Sequence, residues 1–218
     1  MKRYTHLIWD FNGTLLNDVG PDFNAANRLL ARHGLPPLAS LDDYRRAFGF
    51  PIIDYYRRLG FDFAKTPYEE LAAEWIEDYR TRPERAALFP EVPGILQTVR
   101  AWGIPQVLLS ATEAGMLADQ LAETGIGPLF EEIIGAGNYH AYGKADLAAA
   151  WRERNPEARP LMIGDTVHDA EIARVLGADV ILLTCGHQAR QTLEQAHPLL
   201  LCDRPGTIPL AQLLKEER

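Results

Sequence analysis

Six short apolar runs narrow what this chain can fold into more than any other feature: "THLIWD", "IPQVLLS", "EEIIGA", "PLMIGD", "DVILLT" and, less sharply, "HPLLLCD". Their length and near-continuous hydrophobicity suit strands buried on both faces, as in a parallel sheet. Helical patterns separate most of them: "VPGILQTVRAWG" before the second run, "AGMLADQLAETG" after it, "KADLAAAWRERN" before the fourth, and "DAEIARVLGA" between the fourth and fifth. This alternation predicts an α/β fold with a Rossmann-like open parallel sheet and right-handed crossovers. Chemistry in such sheets collects at the carboxyl ends of the strands. Those ends carry Asp10, Ser110 and Asp165.

Between the first and second runs the alternation stops. Residues from about 21 to 85 read as helices only, punctuated by Pro36-Pro37, Pro51 and Pro67 and stopped at Gly34, Gly49 and Gly60. A helical cap domain, residues 17–86, is therefore expected as an insertion into a core of residues 1–16 and 87–218. Placed there, it would lie over the active edge of the sheet as a lid. A net charge of -8 argues against general binding to nucleic acid or anionic membranes. No stretch approaches the length of a membrane span, and the N-terminal apolar stretch is too short for a signal peptide. Cys185 and Cys202 make no disulfide framework, which fits a reducing compartment. The expectation is a cytoplasmic monomer or weak homodimer.

Taken singly, each polar candidate has an ordinary explanation. Asp10 precedes the turn Asn12-Gly13-Thr14 and would serve as a turn residue at a strand end. In "GDTVHD", Asp165 and Asp169 would cap a helix. Lys144 would be a solvated surface lysine, although the first turn of a helix is a slightly unfavourable place for its charge. Ser110 would cap the helix after it, or hold a phosphate oxygen. Two carboxylates on neighbouring strand ends also make an oxygen-rich site of the kind Mg²⁺ takes, because Mg²⁺ keeps several waters and needs few protein ligands.

In this order the pieces resemble the haloacid dehalogenase superfamily, in its phosphoglycolate-phosphatase-like branch with a helical cap. The likeness rests on "DFNGTLLND", Ser110, Lys144 and "GDTVHD" with "AEIARVLGA", together with "LFPEVPGILQTVRAWGIPQVLLSAT". It implies an Mg²⁺-dependent phosphohydrolase of small phosphorylated metabolites that works through an aspartyl-phosphate, with no nucleic-acid or membrane partner. Asp10 would be the nucleophile. Asp10, the backbone carbonyl of Asn12 and Asp165 would hold Mg²⁺. Ser110, with Ala111 beside it, and Lys144 would bind phosphoryl oxygens, and Gly13 and Thr14 would shape the loop around the phosphate. Asp169 would orient Lys144 or a metal-bound water. By analogy with related caps, Arg45 would hold the far end of an anionic substrate.

Asn12 departs from the pattern. The family's phosphatases normally carry an aspartate there, which protonates the leaving oxygen and later activates water. An amide still hydrogen-bonds but exchanges no proton near neutral pH, which puts an acid–base contribution of ~10²–10⁴-fold at stake. Three explanations stay open. The leaving group needs no protonation, as in an acyl phosphate; another residue, His168 or His140, stands in; or the chain is a slow hydrolase or a non-catalytic, regulatory phosphate binder. Dehalogenation is not expected, because "GDTVHD" keeps the acid of a Mg²⁺ enzyme. Phosphonate hydrolysis would need a Schiff-base lysine in the cap, which offers only Lys65. Cys185 reads as a buried small residue and His187 as loop.

Overall fold

The protein is described here by a computed structural model covering residues 3–81, 84–137 and 143–214. Its elements run in the order β1 (His6–Trp9), β2 (Leu16–Asn17), α1 (Val19–Arg32), α2 (Leu41–Ala47), α3 (Ile52–Arg58), α4 (Tyr68–Thr81), β3 (Ala87–Leu88) and α5 (Val92–Ala101). Then follow β4 (Gln106–Glu113), α6 (Ala114–Thr124), β5 (Glu132–Ala136), α7 (Lys144–Arg154), β6 (Pro160–Gly164), α8 (Val167–Leu176), β7 (Asp179–Leu183), α9 (Arg190–Glu194), β8 (Leu200–Cys202) and α10 (Leu210–Leu214).

All six apolar runs form strands of one sheet, ordered β5-β4-β1-β6-β7-β8. Every neighbouring pair in it is parallel. The cause is visible in the burial: Leu7, Ile8 and Trp9 are fully buried on alternating faces, and only a sheet covered on both sides can bury three successive residues. Leu7 and Trp9 pack with Leu96, Val99 and Leu117 of α5 and α6. Ile8 packs on the opposite face with Ala148, Trp151 and Ile172 of α7 and α8. From β1 the chain builds outward through β4 and β5, then returns to lay β6 on the other side of β1. That reversal opens a crevice at the strand ends, where an open α/β sheet binds its ligand.

The helices α1 to α4 have a core of their own, built on Leu29, Leu30, Tyr44, Tyr55, Tyr56 and Leu71. Arg28 ties α1 to α4 with a two-pronged pair on Asp78, both contacts at 2.7 Å. At the base of this helical segment β2 pairs antiparallel with β3, Leu16 opposite Leu88 and Asn17 opposite Ala87. The sequence gives no sign of this ribbon, since two-residue strands are too short to show a period of two.

Candidate active site

β1, β4 and β6 are neighbours, so the residues at their carboxyl ends meet. Asp10 follows β1 directly, and its N–H donates to the carbonyl of Ile163 on β6 at 2.9 Å. Lys144 opens α7, where sequence alone leaves a surface residue as the plain alternative. It is 2% exposed, and its ammonium donates to Asp10 Oδ1 at 2.6 Å and to Asp169 Oδ1 at 2.7 Å. The α7 start is thus turned inward, and carboxylates compensate a lysine that would be costly to bury unpaired. Asp169 is also the third residue of α8, in a reciprocal cap: its Oδ2 accepts from the N–H and hydroxyl of Thr166. Capping and lysine positioning are therefore one arrangement.

Asp165 is held on every side. Its Oδ1 accepts from the Thr14 hydroxyl at 2.9 Å, and its Oδ2 from the His187 N–H at 2.7 Å. Gly13 (φ 72°) and Gly186 press against this carboxylate so closely that a Cβ on either would collide with it. This relocates an expectation. Gly13 and Thr14 do not border the cavity; Thr14 is fully buried and both buttress Asp165.

Electrostatics follow from crowding. Burial pushes the Asp10 carboxyl up to about 8; Lys144 opposes this, while Asp169 and Asp165 add to the rise. Burial also raises Asp165 to about 6. Burial alone would raise Asp169, but Lys144 and the Thr166 hydroxyl hold it below the usual carboxylate range. Asp10, Asp165 and Asp169 offer oxygens within 4.8 Å of one another. One ammonium among three buried carboxylates leaves excess negative charge, and an all-oxygen donor set suits a hard divalent cation such as Mg²⁺. The residues fit such an ion. A second group, Asp18, Asp22 and His187, meets the same distance test but suits it less. There Asp18 overcomes the effect of burial and raises His187 to about 10, and an imidazolium has no lone pair for a metal.

Asn12 is locked by both ends of its amide. Its Nδ2 donates to Asp18 Oδ2 at 2.6 Å, and its Oδ1 accepts from the Thr112 hydroxyl at 2.7 Å. Asp18 also accepts from the Gly13 N–H and from His187 Nε2. His187 Nδ1 in turn meets the Tyr44 hydroxyl of α2 at 2.8 Å. An aspartate at position 12 would set a carboxylate against a carboxylate here. The amide is matched to Asp18. Asp18, Thr112, Tyr44 and His187 are the site residues that sequence reasoning missed. No spacing joins positions 44 and 187, although Asp18 stands in the quoted "DFNGTLLND".

Above these carboxylates lies a cavity of about 190 Å³, roofed by the helical segment. Asp10, Asn12, Ser110, Ala111, Lys144 and Asp169 all border it. Ser110 does not cap α6. Its hydroxyl accepts from the Thr112 N–H, and Glu113 makes the cap to Met116. Arg45 does not reach the cavity either: its guanidinium donates to the carbonyls of Gly186 and Cys185, latching α2 to that loop. Gln188 adds a bond to the Phe48 carbonyl. His168 does not itself line the cavity: it stacks at 4.7 Å on Phe50, which does, and its Nδ1 pairs with Glu171. His140 lies outside the described residues. Lys65 pairs with Asp62 on the surface, where it cannot form a Schiff base with a bound substrate. Cys185 is half-buried, and burial raises its thiol to about 12, so it is inert.

The haloacid dehalogenase-like hydrolase family matches residues 7–183, which takes in Asp10, Asn12, Asp18, Ser110, Lys144, Asp165 and Asp169, while His187 lies just beyond the match. The chain belongs to that family. This hydrolase is 31% identical over 191 residues to the phosphoglycolate phosphatase of Caulobacter vibrioides, a match covering 83% of this chain and 79% of that one. It is 24% identical to the phosphoglycolate phosphatase of Vibrio vulnificus, across 95% and 93% of the two chains. A haloacid dehalogenase-like family hydrolase from Streptococcus pneumoniae has the same fold, with a TM-score of 0.77 at 20% identity over 93% and 95% of the chains. So does protein tyrosine kinase A of Mycobacterium tuberculosis, with a TM-score of 0.72 at 23% identity over 86% and 87%. A fold that carries both descriptions does not by itself decide a reaction. The family and the relatives named as phosphatases favour an enzyme over a phosphate-binding protein.

Proposed function

We propose that this hydrolase cleaves small phosphomonoesters through a covalent aspartyl-phosphate on Asp10, without proton transfer from position 12. The observation that carries this reading is Asp10 at the floor of a roofed cavity, bonded to a lysine that Asp169 anchors. An oxygen of Asp10 bonds to phosphorus as the ester P–O bond breaks, and the departing alkoxide takes a proton from water. Water then adds to phosphorus, the bond to Asp10 breaks, and phosphate leaves. Lys144 neutralises phosphoryl oxygens while Asp169 holds it in place, and Ser110 offers a hydroxyl to the same group. A divalent cation held by Asp10, Asp165 and the Asn12 carbonyl would supply charge neutralisation between carboxylate and phosphate.

Asn12 gives the reading its test. Its amide orients the loop but donates no proton, so turnover should fall steeply as the leaving alcohol becomes less acidic. In Asn12→Asp the new carboxyl faces Asp18, which His187 holds ionised, so the proton stays on the new residue. That variant should gain up to ~10²-fold on poor leaving groups and little on good ones. Initial rates across a series of aryl and alkyl phosphates measure the slope. An equally shallow slope in both proteins would show that protonation comes from elsewhere.

A further inference from the structure

The loop between β7 and α9 does not hold its own shape. Among the described residues, no backbone hydrogen bond runs within residues 184–189, and the carbonyls of Cys185 and Gly186 accept from no backbone N–H. Both accept instead from Arg45 of α2, Gly186 from Nε at 2.9 Å and Cys185 from Nη2 at 3.1 Å. The Ala189 N–H donates in turn to the Arg45 carbonyl at 3.2 Å. Around this fork, His187 Nδ1 meets the Tyr44 hydroxyl at 2.8 Å, and Gln188 Nε2 donates to the Phe48 carbonyl at 3.2 Å. Phe48 also stacks on the His187 ring at 4.8 Å. The loop is thus shaped from the α2 side.

Its other side grips Asp165. The His187 N–H donates to Asp165 Oδ2 at 2.7 Å, and a Cβ on Gly186 would stand 2.2 Å from that oxygen. Gly186, His187 and Gln188 are buried, and Gln188 Oε1 accepts from the Val167 N–H at the start of α8. With the Thr14 hydroxyl on Oδ1, these contacts fix the plane of the carboxylate. A carboxylate has about four acceptor sites, so two bonds orient it and leave others for a cation. Partners of this kind decide how well a ligating side chain meets its metal.

We infer that Arg45 is a positioning residue: from the helical segment, it fixes the loop that orients Asp165 toward a divalent cation. This rests on the reading of Asp165 as a cation ligand for phosphoryl transfer, and it gives the helical segment a part in the cation site. Arginine suits the task because its planar fork reaches two successive carbonyls at once, whereas lysine is a point donor. Without the fork, the buried Gly186 carbonyl loses its donor, and the loop must turn toward another one, drawing the His187 N–H away from Asp165.

Calorimetric titration with Mg²⁺ alone tests this on Arg45→Lys. Its Mg²⁺ dissociation constant should rise about tenfold over wild type, the scale expected when the support around a metal ligand is lost. Arg46→Ala removes the neighbouring guanidinium, which pairs with Asp43 on the surface, and should leave the constant unchanged. Hydrolysis of phenyl phosphate by Arg45→Lys should return to the wild-type kcat once Mg²⁺ is raised about tenfold. Should Arg45→Lys not fold by circular dichroism, Tyr44→Phe takes its place, since it loses the bond to His187 and keeps its ring. Equal Mg²⁺ affinity in the folded variant and wild type, or no Mg²⁺ uptake by wild type, would overturn the inference. So would an equal loss in Arg46→Ala, which would mark a general loosening of α2. A raised KM for phosphoglycolate with Mg²⁺ affinity intact would overturn it too, and make Arg45 a substrate contact. Weaker Mg²⁺ binding by Arg45→Lys, with no ester hydrolysed by either protein, would overturn the phosphatase reading and keep this one.

Discussion

Asp10→Asn is expected to lower Mg²⁺-dependent turnover of an aryl phosphate by roughly 10⁴–10⁶-fold, the scale seen when a covalent nucleophile is removed. The amide has nearly the same shape but no carboxylate oxygen to bond to phosphorus. Asp169 keeps its 2.7 Å pair with Lys144, so the lysine stays compensated and the variant should still fold. Initial rates alongside far-ultraviolet circular dichroism separate lost chemistry from lost structure. Turnover within tenfold of the wild type, in a folded variant, would remove Asp10 from the mechanism.

Asp18→Ala should be the most destabilising single change near the site, by about 3–5 kcal/mol. Asp18 is 1% exposed, and its loss strands the Asn12 amide, the Gly13 N–H and a charged imidazole in the interior. The penalty should vary with pH. Burial would raise Asp18, yet His187 holds it below its ordinary value of 3.8, so its contribution is present above that pH and lost in stronger acid. His187 is raised from 6.5 to about 10, so its contribution is complete below pH 6.5 and fades as pH rises through about 10. The wild type's advantage over Asp18→Ala should therefore be greatest between about pH 4 and 6.5 and shrink toward pH 10. Urea unfolding at three pH values measures it; a constant difference would mean that no ion pair forms.

What was legible in the sequence was what repeats locally or ends a strand. The six runs were readable because a sheet covered on both faces demands uninterrupted apolar residues, and Asp10, Ser110 and Asp165 follow from their places at strand ends. Lys144 was readable through the family likeness and not through its own surroundings, since a helix start gives no hint that the side chain turns inward. Arg45 was misplaced because charge alone cannot tell a ligand contact from a bond to the Cys185 and Gly186 carbonyls. The amide at position 12 leaves three explanations open in the sequence, because nothing there shows that Asp18 and Thr112 engage both of its ends. Contacts between distant segments, Tyr44 with His187 above all, carry no periodic signal.

The account's central claim is a phosphoryl group carried by Asp10 in a site that has no base at position 12 to hurry its removal. Rapid acid quench of wild type with an aryl phosphate and Mg²⁺, followed by peptide mass spectrometry, tests it most directly. The account predicts one phosphoryl group on the peptide containing Asp10 in wild type, absent from Asp10→Asn. Steady turnover with Asp10 unmodified in every quench, or a phosphoryl group on another residue, would contradict it.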